Sequence, residues 1–170
     1  MNWYIVDKDY VEYLRQFDSK VECIKYEKRV KLYLGVVLEL PDFSYYVPIS
    51  SRKDKHYKMS NGADFHKIED SEGLYAVLNL NNMIPIIPDC ITQLKYNQLE
   101  KYRTFENDTE RLKYINLLQK EMSIIDGIEI ILKDKAKKLY AKCVQKPDSK
   151  LARRCCNFKL LEEKSLLYFR

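Results

Sequence analysis

The segment Pro48-Ile49-Ser50-Ser51-Arg52-Lys53-Asp54-Lys55-His56 puts two hydroxyls, three cations and an imidazole at the end of an apolar run. Hydroxyl donors and cations together suit a phosphodiester, whose oxygens accept hydrogen bonds and whose charge needs a counter-charge. If the preceding run is a buried strand, a rigid sheet presents the group at one place. Serine pairs at strand ends also build ordinary turns, so on residue types alone the segment supports phosphate binding and leaves catalysis open. The only other histidine, His66, lies in a strand-like run and reads as structural. Nothing in the sequence brings the two imidazoles into one site.

Basic residues cluster elsewhere too. Lys25, Lys28, Arg29 and Lys31 form one group, and Arg52, Lys53, Lys55 and Lys58 form a second with His56 among them. Lys133, Lys135, Lys137 and Lys138 form a third, and Lys146, Lys150, Arg153 and Arg154 a fourth. Converging clusters would give a phosphate-binding surface. The third and fourth read equally well as solvated helix faces. Fourteen tyrosines accompany a net charge of +5. Rings beside lysines suit a single-stranded RNA groove, where bases stack and cations hold the backbone, but tyrosine also fills half-buried sheet positions.

Other chemistries are absent from the sequence. It has no Gly-rich phosphate loop, no His/Glu zinc helix and no paired-carboxylate metal motif. The five cysteines, Cys23, Cys90, Cys143, Cys155 and Cys156, lack zinc-site spacing and read as reduced thiols. No signal peptide and no apolar run of ~20 residues is present, so a cytoplasmic protein without membrane contact is expected.

The elements that must hold these residues follow from periodicity. Trp3 to Val6 reads as a strand. A helix capped by Asp7 or Asp9 runs to Phe17, with Tyr10, Val11, Leu14 and Phe17 on one face. Ser19 to Val30 reads as a polar, basic loop. Leu32 to Leu40 and Phe43 to Ile49 form an antiparallel hairpin across Pro41-Asp42, and strands follow at Phe65 to Ile68, Tyr75 to Leu80 and Met83 to Ile87. Ile91 to Tyr102 reads as one or two short helices. A long helix begins at Asn107 or Asp108, with Gly127 as a point of kink or division, and a last helix covers Asn157 to Tyr168. Strands before helices is the α+β arrangement.

Five stretches occur in an order that resembles a known family. They are Asp9-Tyr10-Val11-Glu12-Tyr13-Leu14 with Phe17-Asp18; Lys31-Leu32-Tyr33-Leu34-Gly35-Val36-Val37-Leu38; Tyr46-Val47-Pro48-Ile49-Ser50-Ser51-Arg52-Lys53; Leu80-Asn81-Asn82-Met83-Ile84-Pro85-Ile86; and Cys156-Asn157-Phe158-Lys159-Leu160-Leu161-Glu162-Glu163-Lys164. Order and spacing together resemble the ToxN/AbiQ endoribonuclease toxins of type III toxin–antitoxin systems. The resemblance implies a single α+β domain over residues 1–170, with a compact, strongly curved antiparallel sheet (a partial barrel) and flanking helices. It implies metal-independent cleavage of cellular RNA without a cofactor, and no role for DNA. It implies an antitoxin that is a repeated RNA pseudoknot, cut from its precursor by the toxin and bound in a closed protein–RNA assembly.

The family active site has Ser or Thr, then Ser, then Lys two residues on, which here resemble Ser50, Ser51 and Lys53. A lysine before the second strand resembles Lys31, and an upstream tyrosine resembles Tyr26. Arg52 stands where some relatives have Pro, and Lys55-His56 where others have Trp-His. On this reading Ser51 and Lys53 hold the scissile phosphate while Lys31 or Tyr26 handles a proton. Lys31 and Lys53, if adjacent, would depress each other's pKa. RNA contacts are expected from Lys25, Lys28, Arg29, Arg52, Lys55, His56 and Lys58. The competing readings are a non-catalytic RNA-binding protein on the same surface and, behind it, a protein–protein module with an acidic partner.

Overall fold

The computed structural model describes residues 1–22 and 31–168. Its strands are β1 (Asn2–Val6), β2 (Leu32–Glu39), β3 (Ser44–Ser51), β4 (His66–Asp70), β5 (Gly73–Leu78), β6 (Ile84–Ile86) and β7 (Ile91–Gln93). Its helices are α1 (Lys8–Phe17), α2 (Asp54–Tyr57), α3 (Asp108–Gln145), α4 (Lys150–Arg154) and α5 (Phe158–Leu166). Three 3-10 turns, at Leu80–Asn82, Pro88–Cys90 and Tyr96–Lys101, join some of them. The architecture is α+β, with the antiparallel sheet before the long helices, as expected.

All pairings are antiparallel, in the order β4-β5-β3-β2-β1-β7, with β6 added on β3. β3 is the pivot. One edge pairs with β2. The other edge pairs with β6 over Ser44–Tyr46 and with β5 over Ile49–Ser51. Two partners on one edge send the sheet in two directions, which curves it and leaves it open rather than closed. The divergence occurs at the residues that precede Arg52 and Lys53.

β2 is nearly continuously buried, with Leu32, Tyr33, Leu34, Val37 and Leu38 in the core. The β2–β3 register shifts between Leu34 and Leu38. Within that irregularity the ring of Tyr46 lies directly over Gly35, where a Cβ would overlap it. Tyr4 meets the same ring edge-to-face at 5.1 Å.

Helix ends follow their local chemistry. Asp7 caps α1 by accepting from the amides of Asp9 and Tyr10 at 2.8 and 3.3 Å. Asn107 caps α3 through the Glu110 amide at 2.9 Å. α3 runs unbroken for 38 residues. Gly127 is exposed on it, and the helix passes through without dividing. α3 packs on β2 and β4, and the Trp3 indole donates to the Leu118 carbonyl at 3.3 Å. α5 packs on β6 and α1. There the Tyr10 hydroxyl donates to the Pro85 carbonyl at 2.8 Å, and Tyr45 and Tyr140 donate to buried Glu162 at 2.8 and 2.7 Å.

One stretch departs from the periodicity. Residues 91–102 are not helical throughout: Ile91–Gln93 is an edge strand paired with β1, and a 3-10 turn follows at Tyr96–Lys101. Three residues are too few to show a two-residue period, and the pairing partner, β1, lies far away in sequence.

Lys133 and Lys138 pair with Glu129 and Asp134 one turn back along α3, so the third basic cluster is largely a solvated helix face. Its Lys135 instead lies 2.8 Å from His66 Nδ1. Burial and that ammonium hold the imidazole down at about 4, which makes His66 a neutral structural acceptor. Tyr10, Tyr33, Tyr45 and Tyr46 are buried, so much of the tyrosine serves the core. Cys90, Cys143, Cys155 and Cys156 are buried free thiols. No described helix is long and apolar enough to cross a membrane.

Gly35→Ala forces the Tyr46 ring away from β2. Overpacking of this kind costs about 1–3 kcal/mol, so the urea midpoint should fall with its slope unchanged. An unaltered midpoint would contradict the packing described here.

Candidate active site

A cavity of about 200 Å³ opens where β3 ends. At ~30 Å³ per water in the liquid, it has room for roughly half a dozen water-sized groups, enough for a phosphodiester with its attacking hydroxyl. The sheet side supplies Lys31, Leu32, Ile49, Ser50, Ser51, Lys53 and Ala76. Arg103 and, from α3, Tyr114, Leu117, Leu118 and Glu121 supply the other side. The α3 residues lie three and four apart, on one face of the helix.

Lys31 directly precedes β2 and is only 7% exposed. An ammonium removed from water needs compensation, and this one is ion-paired to Glu22 and donates to Ser50 Oγ at 3.1 Å. Asn79, after β5, donates to Ser50 Oγ at 3.3 Å and to Glu22 Oε1 at 3.0 Å. Asn82 donates to the same Glu22 oxygen at 3.2 Å. These five side chains form one closed network. With two donors on its oxygen, Ser50 has both lone pairs engaged and keeps its O–H to give. Ser50 is therefore preset as a hydrogen-bond donor. The partner of Lys31 is a carboxylate, where the sequence had suggested a second lysine.

Lys53 is held by its backbone. Its amide donates to His56 Nδ1 at 3.1 Å, and its carbonyl accepts from the His56 amide at 2.8 Å, closing the single turn of α2. His56 is buried against Phe65, with ring centroids 5.9 Å apart. Burial first, then Lys55 and Lys53, push its pKa down. The neutral ring with an accepting Nδ1 carries its proton on Nε2. Expected at the RNA surface, His56 is instead a clamp beneath Lys53. Arg52, Lys53, Lys55 and Lys58 are exposed, and Arg52 also donates to the Leu74 carbonyl at 3.0 Å. Tyr26, Lys25, Lys28 and Arg29 lie outside the described residues.

The far wall of the cavity and the network behind Lys31 come together only in the fold. The Arg103 guanidinium sits 4.3 Å over the Tyr114 ring and pairs with Glu110 at 3.0 Å, which gives a flat cationic face beside the cavity. Glu121 is 4% exposed, and burial raises its pKa to about 7. One signal for it was present. Leu118, Ile125, Leu132 and Leu139 make an apolar stripe along α3, and Glu121 interrupts it; a buried polar residue is the informative kind. Glu22 lies in the connection after α1 and Asn79 and Asn82 in the one after β5, and none carries such a signal.

Removing Glu22 leaves Lys31 a buried cation without its counter-ion. A fully buried pair broken this way costs about 3–5 kcal/mol. Because Glu22 keeps some exposure, Glu22→Ala should cost about 2–3 kcal/mol on that scale, seen as a lower midpoint in denaturant. No loss of stability would mean that the ion pair does not hold Lys31.

A family model described as toxin ToxN of the type III toxin–antitoxin system matches residues 2–165. Endoribonuclease AbiQ of Lactococcus lactis subsp. lactis is 29% identical over 176 residues, spanning 99% of this chain and 89% of that protein. Endoribonuclease ToxN of Bacillus thuringiensis subsp. kurstaki is 30% identical over 171 residues, spanning 98% and 83%. Two solved structures share the fold across 98% of this chain and 96% of theirs. One is AbiQ, a lactococcal anti-phage endoribonuclease of a type III system, with a TM-score of 0.80 at 26% identity. The other comes from a bacterial type III system in which a non-coding RNA pseudoknot selectively inhibits the toxin, with a TM-score of 0.81 at 27% identity. The match extends over nearly the whole sequence and includes the strand ends that build the cavity: this chain belongs to the ToxN toxin family of type III toxin–antitoxin systems.

Proposed function

We propose that residues 1–170 act as one endoribonuclease toxin domain that cuts RNA without a metal ion. The observation that carries this reading is the gathering of Lys31, Ser50, Ser51 and Lys53 around one phosphate-sized cavity. The 2′-hydroxyl attacks its own phosphate, leaving a 2′,3′-cyclic phosphate and a 5′-hydroxyl. The negative charge that grows on the phosphoryl oxygens then meets fixed donors. Ser50 gives its O–H, Lys31 is held in place by Glu22, and Ser51 and Lys53 complete the cradle. Donors fixed in advance do not reorganise as charge develops, and losing one lowers the rate by roughly 10²–10³-fold.

His56 positions Lys53 from below. Arg52, Lys55 and Lys58 extend the positive surface along the RNA backbone, and Lys25, Lys28 and Arg29 add to it in this reading. The Arg103–Tyr114 pair offers a face on which a neighbouring base can stack. Tyr26, assigned by resemblance to the family, is a second polar group for the reacting ribose. The substrates are cellular RNA and the precursor of the toxin's own antitoxin. The processed antitoxin, an RNA pseudoknot, inhibits by occupying the same surface in a closed protein–RNA assembly.

The test is cleavage of RNA by purified protein in excess EDTA, with wild type and Ser51→Ala side by side. Wild type should cleave and leave cyclic-phosphate ends, and Ser51→Ala should be slower by roughly 10²-fold or more. Binding of RNA without cleavage by the wild type would replace this proposal with a non-catalytic RNA-binding role.

A further inference from the structure

We propose that Glu121 is the general base of this site, taking the proton from the attacking 2′-hydroxyl across the cavity from Ser50 and Lys31. The inference rests on the ribonuclease reading above and completes it, since that reading supplies charge stabilisation without a clear acceptor for the proton. Lys31 is already engaged, in its ion pair with Glu22 and its hydrogen bond to Ser50.

Three observations place Glu121 in the role. It lies on the α3 face that lines the cavity, opposite the ends of β2 and β3. Its carboxylate has no hydrogen-bond or ion-pair partner among the described residues, in contrast to Glu162, which is equally buried and accepts from Tyr45, Tyr140 and Lys159. Finally, no fully enclosed side-chain oxygen or nitrogen among the described residues lacks a partner, so the Glu121 oxygens keep an opening. Within a residue this buried, that opening faces the cavity it lines. A structural carboxylate would be tied down as Glu162 is. A carboxylate kept free at the edge of a phosphate-sized space is available to the substrate.

The step balances. The 2′-O–H proton passes to a Glu121 carboxylate oxygen while the oxygen's electron pair forms the O2′–P bond. The P–O5′ bond breaks with its pair on O5′, which takes a proton from the Lys53 ammonium. The carboxylic acid and the amine left behind return to their starting forms by exchange with solvent. The groups facing Glu121 are Lys31, Lys53, Arg103 and Tyr114 around the cavity. Beside it stands Tyr96, whose phenol is pushed up by burial and by Glu121 and Asp126. Burial holds the carboxyl near 7, so a base here is active when deprotonated and the rate should fall as pH drops through that value.

Single-turnover cleavage of a mixed-sequence RNA transcript, from pH 5 to 9 in EDTA, separates the possibilities. Wild type should show an acidic limb centred near pH 7. Glu121→Gln, which keeps the shape and removes the charge, should cut the rate by roughly 10²–10⁴-fold and abolish the limb, while RNA binding and thermal unfolding stay close to wild type. Glu121→Asp should keep a limb at reduced rate. If Glu121→Gln cleaves within a few-fold of wild type with its limb intact, the assignment is wrong and the ribonuclease reading stands. If it loses RNA binding and cleavage in parallel, Glu121 is structural. If the wild type cleaves nothing, the reaction and its base fall together.

Discussion

A buried ammonium organises this site. Taking the Lys31 side chain out of water costs several kcal/mol after relaxation, and the fold offsets that cost locally by surrounding it with Glu22, Ser50 and, one bond further, Asn79 and Asn82. Those residues come from the segment after α1, the end of β3 and the turn after β5. The requirement to satisfy one cation therefore ties together three connections that are far apart in sequence. It also sets what each can do: Ser50 becomes a donor, and Lys31 is held at the cavity it lines.

The sheet makes this arrangement rigid enough to serve. β3 is paired on both edges, and its second edge changes partners from β6 to β5 just before Ser50 and Ser51. The hydroxyls thus leave the sheet where its pairing diverges, and α3 packs on β2 and β4. Gly35 allows Tyr46 to close on β2 within the same region. α3 supplies the opposite wall: its buried face includes Leu118, Ile125, Leu132 and Leu139, the Leu118 carbonyl accepts from the Trp3 indole, and Tyr114 and Glu121 line the cavity. The two walls differ in character: hydroxyls, lysines and Arg52 gather around the end of β3, and a buried carboxylate faces them from the helix.

Much of the frame was legible in the residues. Periods of two and of three to four, with Asp7 and Asn107 as caps, mark the strands and helices because burial on one face leaves a regular trace. Ile91–Gln93 left none, since its strand character comes from a partner at the chain's start. Half of the site was legible as well. Ser50 to Lys53 are contiguous at a strand end, and Lys31 became visible through the family pattern. The other half is assembled only by folding. Arg103 and Tyr114 belong to elements separated from Ser51 by several strands, and Glu121 announced itself only as a carboxylate in an apolar stripe. His56 went the opposite way: its neighbours suggested a surface contact, but burial against Phe65 and its bond to the Lys53 amide make it part of the scaffold.

The most direct test of this account is a crystal structure of the protein with an RNA that is 2′-deoxy at the cleaved nucleotide, which binds but cannot react. The scissile phosphate should lie in the cavity, with an oxygen at hydrogen-bond distance, about 2.7–3.2 Å, from Ser50 Oγ or Lys31 Nζ and with the ribose 2′ position facing Glu121. RNA bound with that phosphate outside the cavity, for example along the lysine face of α3, would contradict it.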